Sequence, residues 1–183
     1  AVARIRPNVA IVHDCDRAAD GRSFIVMESL DGRSLADWIG QEGPLPVERA
    51  LRVAFEIADG LQAAHNLLLV HGALTAEHVL VGAEDTVKLT GFEVARLGGA
   101  GVGPAPRDPA SWVDVEGEQT SEHAGGLAER ADVQALGLLL IDMLTGAVRA
   151  RSEGSGAHPE RKLGREVPAP VRELVTQALD LSP

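Results

Sequence analysis

Between Pro46 and His65 the apolar positions Val47, Leu51, Ala54, Ile57, Ala58, Leu61 and Ala64 recur every three or four residues. That spacing predicts one apolar stripe along a helix of roughly five turns, with Pro46 at a start where its missing N–H removes no helical bond. Before this helix the period shortens. Val9 to His13 and Phe24 to Met27 are apolar runs separated by the polar stretch CDRAADGRS, which predicts a hairpin. Turns at Asp31-Gly32 and at Gly40 to Gly43 enclose a short helical stretch holding Leu35, Trp38 and Ile39. After His65 the segments HVLV and TVKLT flank the turn GAED and read as two short antiparallel strands. Residues 97–126 lack periodicity and are rich in Gly, Pro, Ser and Asp, which predicts a long mobile loop. A helix is expected from about Ala131 to Leu144, closed by Thr145-Gly146. Residues 147–169 are polar and irregular, and Pro170 to Leu181 has amphipathic spacing. The element order predicts an α+β chain with a largely helical body.

Composition narrows what this body does. With 183 residues, 45% of them hydrophobic, the chain can bury a core and is not a disordered segment. A formal charge of −10 argues against nucleic acid or an anionic membrane as the main partner, since both are bound through clustered Lys and Arg. The single cysteine, Cys15, excludes an intrachain disulfide framework and fits a reducing compartment. The longest apolar stretch, VQALGLLLIDMLTGAV, is broken by Asp142 and is too short at its uninterrupted centre to span a bilayer. No signal peptide opens the sequence, so the expected location is the cytoplasm, either alone or as the cytoplasmic part of a larger protein.

Two common chemistries fit poorly. His71 and His78 invite a metal reading, but there is no cysteine pair and no HExxH, so no metal site is expected. LGGAGVG, Leu97 to Gly103, has the glycines of a phosphate loop, yet PAPRDPA follows where a helix would have to open.

The segments do resemble, in order, the hinge and C-terminal lobe of a protein kinase, closest to the bacterial Ser/Thr kinases. FIVMESLDGRSLADWI resembles the fifth strand, hinge and following helix, with Met27 in the gatekeeper position and Glu28 to Leu30 as the hinge. The family's catalytic loop H-R-D-L-x-x-x-N and the D-F-G that follows fall on His71-Gly72-Ala73-Leu74-Thr75-Ala76-Glu77-His78 and Gly91-Phe92-Glu93. The steps of five residues from 73 to 78 and thirteen from 78 to 91 match the family while the chemical groups differ. The resemblance implies a kinase-like fold with residual small-lobe strands and hinge at 1–30 and a helical C-lobe at 31–183. Within that lobe it places a catalytic-loop region at 70–96 and an activation-loop-like segment at 97–126.

It also implies what each replacement removes. Ala73 stands where an aspartate handles the substrate hydroxyl proton, Thr75 where a lysine meets the transferring phosphate, His78 where an asparagine holds one magnesium, and Gly91 where an aspartate bridges metal to phosphates. Gly72 replaces the arginine that receives an activation-loop phosphate, and no Ser or Thr occurs from Leu97 up to Ser111. Other positions are kept. Leu80, between Val79 and Val81, matches the floor of the adenine pocket; Val12, His71 and Phe92 match a hydrophobic column through the lobes; Asp132 matches the aspartate that holds the catalytic-loop backbone.

The expectation is therefore a pseudokinase, a scaffold or regulatory module that binds a protein partner or serves an attached domain. No catalytic residue and no resident cofactor are expected, and ATP with magnesium is not. Two alternatives stay open: an atypical Ser/Thr kinase with residual phosphotransfer, using Glu77 or Glu93 as a carboxylate, and a nucleotide sensor that works without metal.

Overall fold

The computed structural model describes residues 8–18, 20–92, 122–147, 163–164 and 166–180, excepting the side chains at 15, 23 and 122–128. Val12–Arg17 (β1) and Ser23–Met27 (β2) pair antiparallel as a two-stranded sheet, with Cys15 opposite Ile25 and a register shift between Val12 and Asp14. The hairpin expected from the sequence is present. Its turn is shorter than expected, because Cys15-Asp16-Arg17 continues β1 instead of looping.

Val9 does not join this hairpin. It bridges Leu89 in parallel, with Ala10 N–H donating to the Leu89 carbonyl at 2.9 Å and Leu89 N–H to the Asn8 carbonyl at 2.7 Å. The opening stretch is thereby sewn to the second sheet. That sheet runs Arg33–Ser34 (β3), Val79–Val81 (β4) and Val87–Leu89 (β5), all antiparallel. Val79, Val81, Val87 and Leu89 are buried on one face, and Leu80 sits directly opposite Lys88 on the other.

Leu35–Glu42 (α1) starts at Ser34, whose hydroxyl accepts the Asp37 amide at 3.0 Å, and ends at Gly43, φ +78°. Val47–His65 (α2) follows the Pro46 cap and buries Ala50, Val53, Ile57, Leu61 and Ala64. The buried stripe is centred one position away from Leu51, which is only half-buried. Glu122–Thr145 (α3) begins well before Ala131. Residues 122–126 are thus helical and not part of a loop, while 97–121 lie outside the described residues. α3 stops at Gly146, φ +72°, whose N–H donates to the Asp142 carbonyl at 2.9 Å. A Cβ there would stand 2.7 Å from Pro44 Cδ, so the α1–α2 connection can approach only because position 146 is glycine. Leu45 N–H uses the approach to reach the Met143 carbonyl at 2.7 Å. Ala169–Leu179 (α4) packs Val171 and Val175 inward and ends two residues before the Leu181 that the sequence spacing implies.

The core joins Leu35, Trp38 and Ile39 of α1 to Val53, Ile57 and Leu61 of α2, the inward face of β4 and β5, and Leu139, Leu140, Ile141 and Met143 of α3. Each such side chain withdrawn from water contributes about 1.5–3 kcal/mol, so this cluster holds the fold. Among the described residues no helix is long and apolar enough to cross a membrane.

Candidate functional site

The segment from His71 to His78 lies between α2 and β4 in the chain and is bonded to Asp132 of α3. Asp132, 1% exposed, fixes its shape: one carboxylate oxygen accepts the His71 amide and the other the Gly72 amide, both at 2.8 Å. The oxygen facing His71 also meets His65 Nε2 at 2.8 Å. A buried carboxylate is tolerated when its oxygens are met by donors, and here three serve it.

His71 is fully buried, and its Nε2–H donates to the Thr90 carbonyl at 2.8 Å. Burial lowers its pKa below the ordinary value, partly offset by that carbonyl and by Asp132. Its ring packs against Phe92, with centroids 4.6 Å apart. Val12, the third expected member of this column, is half-buried on β1 opposite Met27.

Ala73 is half-buried and presents a methyl group where a general base would need a lone pair. Its backbone carbonyl accepts His78 Nδ1–H at 2.9 Å, and Thr75 Oγ1 lies 3.2 Å from the same nitrogen. Gly91 is buried with φ +90°, and a Cβ on it would fall 2.8 Å from His78 Cδ2 and 2.9 Å from Cγ. Magnesium requires hard oxygen ligands at short, near-octahedral distances. Positions 78 and 91 offer an imidazole and no side chain, so these residues do not fit the metal. Among the described residues no group of three or more His, Cys, Asp or Glu could hold a metal ion.

At the other end of the site, β2 ends at Met27 and the chain leaves through Glu28, Ser29 and the half-buried Leu30. Glu28 N–H donates to the Ile11 carbonyl at 2.9 Å, and its carboxylate accepts both Ile11 N–H at 2.9 Å and Lys88 Nζ at 2.8 Å. Burial works against this carboxylate, but the lysine and the amide outweigh it and hold its pKa below the ordinary value. Leu80 and Lys88 share the sheet face that meets this turn. The sequence reading named Leu80 and Glu28 but missed Lys88, whose position opposite Leu80 across two antiparallel strands was the available signal.

A helical body, a small sheet and a loop held by its backbone between them define a protein-kinase-like domain, α+β in class. The family model for protein tyrosine and serine/threonine kinases matches residues 6–169, and the chain belongs to that family. It is 27% identical over 195 residues to a probable serine/threonine-protein kinase of Clostridium perfringens, covering 97% of this chain and 27% of that protein. It is 30% identical over 170 residues to the serine/threonine-protein kinase PknL of Mycobacterium tuberculosis, covering 92% and 42%. The serine/threonine-protein kinase pkn3 of Myxococcus xanthus is 29% identical over 173 residues, covering 91% and 32%. The chain spans 27 to 42% of the length of these relatives.

Proposed function

We propose that this kinase-family domain does not transfer phosphate and acts as a regulatory module or scaffold, its ligand being a protein partner or an attached domain. The observation that carries the reading is the filled metal position: the His78 ring occupies the space beside Gly91, and Ala73 lies on the same loop. Phosphoryl transfer is catalysed by positioning and charge, so a site lacking both carboxylates, the lysine and the asparagine retains little to lower the barrier. What the loop does retain is its backbone bonding to Asp132, which serves shape alone.

A second reading, an atypical Ser/Thr kinase, is favoured by the relatives, which are named as serine/threonine-protein kinases. It would need a carboxylate from elsewhere. Glu77 is exposed and precedes His78, out of register with the position required, and Glu93 lies outside the described residues. A third, metal-independent nucleotide sensing, draws on Leu80 and the Lys88 ammonium on one face.

A radiolabelled ATP assay with a generic protein acceptor, run beside thermal-shift titrations with ATP with and without magnesium, separates the three. The expected result is no transfer and no magnesium-dependent shift. Transfer above a no-enzyme control would overturn the proposal, and a metal-independent shift without transfer would favour the sensor.

A further inference from the structure

The pair His78 and Gly91 carries a consequence beyond the loss of metal ligands. Because a carbonyl oxygen can only accept, the 2.9 Å contact from His78 Nδ1 to the Ala73 carbonyl requires the hydrogen on Nδ1. Thr75 Oγ1, 3.2 Å from the same nitrogen, shares that hydrogen. The ring is therefore held in one orientation. Its backbone is tied as well, since the His78 carbonyl accepts Thr90 N–H at 2.9 Å and Thr90 Oγ1 at 3.2 Å. Thr90 immediately precedes Gly91, so neither main chain can withdraw from the other. The ring also neighbours His71, centroids 5.5 Å apart, which is itself packed on Phe92.

Into this fixed arrangement a side chain at 91 would place its Cβ 2.8 to 3.1 Å from three atoms of the imidazole. Interiors this closely packed do not absorb such contacts without moving a group. We infer that the imidazole of His78 fills the side-chain volume of position 91 while bracing the Ala73 carbonyl, so that the two positions determine each other and neither can be changed alone. His78 is on this reading a positioning residue, a plug and brace in one. The inference does not rest on the absence of phosphoryl transfer, because an active enzyme with this loop would show the same coupling.

Two costs of Gly91→Ala must be separated. One is the left-handed backbone at φ +90°, which penalises any Cβ whatever stands at 78. The other is the imidazole contact, which vanishes with the imidazole. A double-mutant cycle isolates the second. Urea unfolding of the unaltered chain, Gly91→Ala, His78→Asn and the double variant gives the four stabilities. An asparagine amide can still donate to the Ala73 carbonyl but is smaller, so Gly91→Ala is expected to lower the folding constant at least about tenfold less in the His78→Asn background. If Gly91→Ala alone fails to fold while the double variant folds, the coupling is shown by that difference. Equal losses in both backgrounds would overturn the inference. Nitrogen-15 NMR of the unaltered chain provides the independent readout: His78 is expected as the Nδ1–H tautomer, and an Nε2–H tautomer would overturn the brace even if no variant could be purified.

Discussion

His71 and His78 lie in one loop and hold opposite tautomers, His71 giving its Nε2–H to the Thr90 carbonyl and His78 its Nδ1–H to the Ala73 carbonyl. For His71 the second nitrogen is buried and unpartnered among the described residues, so a proton there would have no acceptor. Burial accordingly depresses its pKa in the folded chain, whereas the unfolded chain takes up that proton near the model-peptide value of 6.5. As pH falls below about 6.5 the unfolded state gains protons that the folded state refuses, so this residue's contribution falls with falling pH and is constant above that range. Denaturant midpoints from about pH 8 to pH 5 test this: His71→Leu is expected to lower stability overall and to flatten the acid-side decline relative to the unaltered chain. Equal slopes would show that His71 takes up its proton normally. At this scale the sequence was informative where side chains meet side chains or a recurring motif, as with His71, Phe92 and Asp132. It could not show the bond from His78 to the Ala73 carbonyl, because every residue carries a carbonyl and only the folded path selects one.

Among the elements, α1, α2, β4 and β5 could be read directly, because each has an apolar period matching a single buried face. β1 was read short because Cys15-Asp16-Arg17 lies in a two-stranded hairpin whose residues largely face water, where polar residues carry no strand signal. α3 was read to begin late because Gly125-Gly126 has poor helix propensity, which the folded context overrides. The end of α2 holds a mismatch of a different kind. Leu69 N–H reaches the Ala64 carbonyl at 3.0 Å and Leu68 N–H the His65 carbonyl at 2.8 Å, the bonding of a Schellman stop. Its left-handed residue is Leu68, φ +60° and 89% exposed, where glycine is the usual occupant. Leu68→Gly removes the left-handed penalty and forfeits little burial, so it is expected to stabilise the chain by about 0.5–1 kcal/mol. A fall in thermal midpoint on this change would mean that the exposed leucine has a packing partner.

At the scale of the molecule, stability is unevenly distributed. The core cluster draws on α1, α2, β4, β5, α3 and α4, while β1 and β2 contribute no residue to it, and Phe24 and Val26 remain about half exposed. The hairpin is joined to the body through the Asn8 and Ala10 backbone on Leu89 and through the Glu28–Lys88 pair, whose side chains are 22% and 28% exposed. A two-stranded hairpin has little stability of its own. Hydrogen exchange is therefore expected to be faster in β1 and β2 than in α2 and the second half of α3, and Lys88→Met to speed the hairpin further while leaving those helices unchanged. Uniform protection across all elements would show that the hairpin opens only with the body.

Asp132 holds the loop through the amides of residues 71 and 72, and the His78 ring bonds to it through the carbonyl of residue 73 and the Thr75 hydroxyl. The methyl group of Ala73 therefore takes no part in holding the outline it sits on, whereas position 72, at φ +67°, favours glycine. Over generations a lineage could exchange the reactive group at position 73 with little penalty in folding, which separates the history of the chemistry from the history of the shape.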